Sequence, residues 1–156
     1  MVGDAVRIVP FTPAHREAWR TLNEGWLHAG GFEIEPKDRK TLDDPEGIIL
    51  ACGGRIFMAE QTGEPVGCCA LLPMPDGGAE IAKMTVVPAA RGGGVGRRLL
   101  QACETEALSM GATRLYLETN SALKPALALY RRFGFDTLPS QPTDYARCDV
   151  WMEKRF

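Results

Sequence analysis

The chain has 156 residues, 45% of them hydrophobic and 24% charged, and its 18 lysines and arginines oppose 20 aspartates and glutamates for a net charge of −2. These proportions suit a globular domain and exclude a disordered, collagen-like or coiled-coil chain, while the lack of a basic surplus argues against a nucleic-acid binder. The length fits one compact domain over residues 1–156, able to bury roughly two thirds of its unfolded surface without a metal or disulfide staple.

No apolar run approaches the ~18 residues of a membrane helix. The segment from Met1 to Arg7 carries neither a basic nor an apolar leader pattern. The expectation is a cytoplasmic protein with no membrane partner. Five cysteines, Cys52, Cys68, Cys69, Cys103 and Cys148, are odd in number and lack C-x-x-C spacing. They point to a reducing compartment and read as small buried apolar residues. His15 and His28 lack metal-site spacing with them, so no metal is expected.

Val6 to Val9 alternates and stops at Pro10, which predicts a first strand. Thr12-Pro13 offers an N-cap and a first-turn proline for a helix running through Trp19 and Leu22 towards Gly25. From Trp26 to Gly54 the glycines and prolines leave no clear period, and short helical turns are expected. Arg55–Gln61, Val66–Leu72 and Ala79–Val87 then read as an antiparallel meander, turned at Thr62-Gly63-Glu64 and Asp76-Gly77-Gly78. After Pro88 the period changes. Val95, Leu99, Cys103, Ala107 and Met110 fall at helical spacing, closed by Gly111. A buried strand over Arg114–Thr119, a helix over Pro125–Phe133 capped by Gly134, and final strand structure including Val150 and Met152 complete the order β-α-(irregular)-β-β-β-α-β-α-β-β. That order is a mixed α+β layer fold with one crossover after the meander.

The most informative segment is Met84 to Leu99, in which a strand runs through Arg91-Gly92-Gly93-Gly94-Val95-Gly96 into an amphipathic helix. The first N–H groups of a helix have no internal partners, and its dipole is positive there. Glycines let a phosphate approach the backbone, and Arg91, Arg97 and Arg98 add charge. A Walker loop would need Gly-Lys-Ser or Gly-Lys-Thr, but Arg97-Arg98 follows the last glycine. A dinucleotide fingerprint would need a third glycine at Leu99. The plainer alternative is a tight turn with no ligand.

Here the sequence resembles the GNAT superfamily of acyl-CoA-dependent N-acetyltransferases. Arg91-Gly92-Gly93-Gly94-Val95-Gly96 matches its Arg/Gln-x-x-Gly-x-Gly/Ala signature, and Leu129-Tyr130 through Gly134-Phe135 matches its L-Y-x-x-x-G-F phrase. The resemblance covers about residues 5 to 155. It implies a mostly antiparallel sheet of six to seven strands, flanked by about four helices, with the fourth and fifth strands splayed. It implies acetyl-CoA as acyl donor, its pantetheine arm along Met84, Thr85 and Val86. The pyrophosphate would lie on the turn formed by Arg91, Gly92, Gly93, Gly94, Val95, Gly96 and Arg97. Tyr130 takes the position of the acid that protonates the departing thiolate. Homodimers are common in the family. One departure stands out: the family's asparagine seven residues before this tyrosine is Leu123 here, with Asn120 and Lys124 near enough to replace its cofactor contact.

An alkyl amine titrates near ~10.4 as lysine does, and only its neutral form attacks, so a base is needed. Glu80 lies eleven residues before Arg91, the position of the catalytic glutamate in the histone-acetylating branch, and strand alternation puts it on the face of Met84 and Val86. Glu118 is the second candidate base. Each has a plainer reading: an ion-paired strand carboxylate for Glu80, a loop cap for Glu118, a core tyrosine for Tyr130 and a turn residue for Asn120. Trp26, Phe32, Glu33 and Glu35 fall where the family builds one acceptor wall, and Tyr145 and Arg147 where it builds the other. No cysteine has an obvious histidine partner, which favours direct attack by a small-molecule or peptide amine over a cysteine intermediate. A non-catalytic acyl-CoA sensor and an ATP- or NAD-binding module are the rival readings.

Overall fold

The computed structural model describes residues 5–156. Met1 to Asp4, part of the segment read for a leader, lies outside the described residues. Seven strands form one sheet in the order β1-β2-β3-β4-β5-β7-β6. β1 (Val6–Pro10), β2 (Arg55–Gln61), β3 (Glu64–Pro73) and β4 (Ala79–Val86) pair antiparallel. β5 (Arg114–Thr119) lies parallel to β4, and β7 (Val150–Arg155) and β6 (Asp136–Leu138) extend the sheet antiparallel. Thr62 and Gly63 both take positive φ, 52° and 78°, which suits the tight turn between β2 and β3.

The helices are α1 (Arg16–Ala29), α2 (Pro36–Asp43), α3 (Pro45–Ile48), α4 (Val95–Ser109) and α5 (Lys124–Phe133). α1 does not stop near Gly25 as its sequence suggests. Trp19, Asn23 and Leu27 recur every four residues and are all buried, so the stripe that holds the helix to the sheet runs past the exposed glycine. α2 and α3 are the short helices of the stretch without a clear period. α4 and α5 cover one face of the sheet around Leu71, Ile81, Leu99, Leu115 and Met152. α1 packs with Leu42 of α2 on the other, around Trp19, Ile56 and Met58.

Two irregularities in β4 open the structure. Its pairing with β5 stops after Ile81↔Leu117, so the two strands splay from there. Its register with β3 also shifts: Ala70 faces Ala82 but Cys68 faces Thr85, which inserts one extra residue into β4. Lys83, at that insertion, has φ 57°. The insertion overturns the expected alternation. Glu80 pairs with Leu72 on the α1 face, whereas Met84 and Val86 pack with the α4 core.

Close approach of β3 to β4 requires Gly67, because a Cβ there would stand 2.8 Å from the Thr85 carbonyl oxygen and 3.3 Å from Leu99 Cδ1. Gly67→Ala should cost about 1–3 kcal/mol of stability in urea unfolding.

Candidate active site

Where β4 and β5 part, a cleft of about 670 Å³ passes between them. One end is built by the glycine turn. Gly94 caps α4 with φ 81°, and the first intrahelical bond to Gly94 comes from the Arg98 amide at 3.0 Å. The amides of Val95, Gly96 and Arg97 therefore stand at the helix start without intrahelical partners, and no acidic residue occupies the first turn. Arg91, Arg97 and Arg132 line the same end, and among the described residues none is ion-paired to a carboxylate. Free amides at a dipole's positive end, with unpaired guanidinium groups around them, fit a polyphosphate.

At the other end two carboxylates enter from the α1 face. Burial pushes Glu80 up to about 7, opposed by the charge of Lys37 and assisted by that of Glu118. Glu80 does not form the ion pair with Lys83 that its sequence neighbourhood allows, because Lys83 binds Asp38. Glu118 is held on both oxygens: the Tyr116 hydroxyl donates to Oε2 at 2.8 Å and the Thr143 hydroxyl to Oε1 at 2.6 Å. Burial and the Glu118 bond raise Tyr116 above the ordinary phenol range, so it stays a donor.

Tyr130 enters from the opposite face, on α5. Its ring meets Phe135 edge-on at 5.9 Å, and burial raises its hydroxyl above the ordinary range. It lines the cleft, and no hydrogen bond joins its hydroxyl to another described residue. A protonated donor thus faces the cleft from the side opposite Glu80.

The wall at the carboxylate end rests on a buried ionic knot. Asp38, 0% exposed, accepts bonds from Arg147 at 2.7 Å on each oxygen, from Lys83, and from the Glu35 amide at 2.9 Å. Burial opposes ionisation of Asp38, but the Arg147 and Lys83 bonds prevail and hold it down to about 2. Glu35 ties the same loop by accepting from the Ala146 amide at 2.9 Å. Tyr145 lies between the cations, 4.4 Å from Arg147 and 4.9 Å from both Lys37 and Lys83.

The cleft thus gathers Glu80, Met84, Val86, Arg91, Gly92, Gly94, Val95, Gly96, Arg97, Glu118, Asn120 and Tyr130 from the sequence candidates. Thr85 is buried and Gly93 lies outside the lining. Leu123 lines the cleft and Lys124 does not. Asn120 donates to the Arg147 carbonyl at 2.7 Å and accepts from the Ala122 amide at 2.8 Å, so its amide also organises the loop. Of the expected acceptor walls, Trp26, Tyr145 and Arg147 reach the cleft, while Phe32 stacks behind Trp26 at 5.7 Å and Glu35 serves the knot. Asp38, Lys83, Tyr116 and Thr143 were not legible as site residues. The one usable signal was the Tyr116-x-Glu118 spacing, which puts both side chains on one strand face.

A mixed sheet splayed beside a glycine turn that opens a helix, with a cleft through the gap, is the arrangement that the resemblance to acyl-CoA-dependent transferases implies. The Acetyltransferase (GNAT) family model matches residues 12–135, and the chain belongs to that family. It is 41% identical over 102 residues to the "IAA acetyltransferase" of Azospirillum brasilense, covering 64% of this chain and 67% of that one. It is 34% identical over 116 residues to the "Uncharacterized N-acetyltransferase YjgM" of Escherichia coli K12, covering 71% of this chain and 70% of that one. A GNAT-family acetyltransferase structure from Staphylococcus aureus Mu50 superposes with a TM-score of 0.88 at 20% identity over 97% of this chain and 99% of that one. The PaiA N-acetyltransferase of Thermoplasma acidophilum, solved with coenzyme A, has the same fold at a TM-score of 0.79, 16% identity, and 97% and 99% coverage. The enzyme is an acyltransferase of the N-acetyltransferase class.

Removing the centre of the knot takes the carboxylate from Lys83 and leaves Arg147 with only its 3.4 Å pair to Glu35. Asp38→Ala should lower stability by about 3–5 kcal/mol in urea unfolding at pH 7. Because Asp38 is depressed in the fold, its contribution is present above the ordinary carboxylate range near 3.8 and lost as pH falls through about 2. The gap between variant and parent should therefore narrow in acid.

Proposed function

We propose that this enzyme moves an acetyl group from acetyl-CoA to a primary amine of a small molecule or peptide by direct attack in a ternary complex. The observation that carries the reading is the placement of a carboxyl and a phenol, both perturbed by burial, on opposite sides of one cleft. When bound, acetyl-CoA supplies a thioester whose acyl carbon is open to attack.

The amides of Val95, Gly96 and Arg97, with Arg91, hold the diphosphate, and Met84 and Val86 guide the arm toward the gap. Glu80 takes the proton of the incoming ammonium, directly or through water. With its pKa near 7 it is about half ionised at neutral pH, which balances availability against driving force. Backbone amides of β4 beyond Ile81, where its pairing with β5 ends, are suited to the negative charge that develops on the acyl oxygen. Tyr130 gives its proton to the departing sulfur. A cysteine intermediate is disfavoured. Burial pushes Cys68 up to about 12 and, with the charge of Glu118, raises Cys148, the one thiol that lines the cleft among the described residues.

Acetyl-CoA near 100 times its Kd adds ~2.7 kcal/mol, which at this size should raise Tm by roughly 5–10 °C, with no comparable shift from ATP or NAD. Binding without acetylation of any amine would favour the sensor reading, and a shift with ATP or NAD alone would overturn the site.

Tyr130→Phe should lower kcat at least about tenfold with the acetyl-CoA Kd nearly unchanged. For the parent, kcat/KM should fall with one proton below pH about 7, and Glu80→Gln should abolish that limb. Because burial raises the Glu80 pKa from 4.5 to about 7, its cost to folding builds between those two values and is complete above them. Glu80→Gln should therefore stabilise the protein at pH 8 and much less at pH 4.

A further inference from the structure

The cleft is electrically divided. At the glycine turn its unpaired groups are cationic. At the other end, Lys83 and Arg147 reach the lining, but Asp38 and Glu35 take up their charge. Lys37 is paired with Asp144 at 3.4 Å. Glu80 and Glu118 are the acidic residues of the lining, and neither is ion-paired to a cation among the described residues. The uncompensated charge facing an acceptor is therefore negative.

The two carboxylates are also held differently. The Glu80 carboxylate has no hydrogen bond to another described residue. Glu118 is fixed by the Tyr116 and Thr143 hydroxyls, one on each oxygen, and both donors are neutral. Two neutral donors orient a carboxylate without cancelling its charge. Each oxygen keeps a second acceptor direction for a ligand N–H.

We propose that Glu118 is a specificity-determining residue that seats the acceptor's ammonium group beside Glu80, and that the acceptor is a cationic amine with no carboxylate next to the reacting nitrogen. A neighbouring carboxylate would enter an end that already holds two unpaired carboxylates, and the nearby cations are committed to Asp38, Glu35 and Asp144. This rests on the transferase reading above for which nitrogen reacts. The charge preference itself rests on the cleft alone. Tyr116 and Thr143 act through Glu118 as positioning residues.

The test uses matched probes that differ by one carboxylate: agmatine against arginine, and 2-phenylethylamine against phenylalanine. Binding to the full-length protein with and without saturating CoA is read by calorimetry, alongside acetylation rates. Each amine should bind at least about tenfold more tightly than its amino acid, the scale of one charged hydrogen bond. Glu118→Gln should loosen the amines, or raise their KM, by about the same factor, with the acetyl-CoA Kd unchanged and kcat altered much less. Should Glu118→Gln fail to fold, Tyr116→Phe replaces it and should raise the amine KM or Kd several-fold without moving the acidic limb assigned to Glu80. Amino acids binding as tightly as the amines, neither amine binding, or the substitutions leaving amine affinity unchanged would each overturn the proposal. Amines that bind in this pattern without being acetylated would support the charge selection and count against transfer, so the two readings fail separately.

Discussion

β4 cannot remain paired to β5 along its length, and the site depends on that constraint. A continuous parallel pair would fill the space with backbone hydrogen bonds. Because pairing ends at Ile81↔Leu117, side chains from both faces of the sheet reach a common gap. A cleft that pierces a sheet differs from one laid on its surface. Its two ends meet different helices, so each end can carry its own charge. The helix start and the arginines make one end suited to polyphosphate, while the paired cations and unpaired carboxylates make the other suited to a base.

The opening has to be held against collapse. Asp38 does much of this, since one carboxylate binds α2, the irregular part of β4 and the loop before β7. A buried ion pair adds little net stability compared with a well-packed apolar substitute, because desolvation offsets attraction. Its value here is geometric. Lys83 and Arg147 can both be satisfied only if the three segments keep their relative places.

Much of this was legible in the sequence and some was not, for identifiable reasons. The glycine turn and the α4 stripe from Val95 to Ala107 were plain because backbone freedom and helical period are local properties. The meander was plain because its strands are bounded by turn residues. The face occupied by Glu80 is hidden in the sequence because the residue at the β4 insertion is Lys83, and neither glycine nor asparagine marks its left-handed φ of 57°. The extent of α1 is obscured by Gly25, a local stop signal, whereas burial of Leu27 outweighs one exposed glycine. Asp38 sits in Pro-Lys-Asp-Arg-Lys, a run that resembles a solvated helix face. Only tertiary structure separates its carboxylate from its exposed neighbours. Glu118 has the reverse problem: its residue type is plain in the sequence, but its anchors lie two and 25 positions away.

The extra residue at Lys83 divides β4 into two segments that answer to different demands. Before it, the strand turns Glu80 toward the α1 face. After it, Met84 and Val86 face the α4 layer. Under the proposed reaction, substitutions in the first segment would retune the choice of amine while the segment along the acyl donor keeps its sequence, and the reverse would also hold. A single inserted residue would then make the two halves of that reaction separately evolvable within one strand.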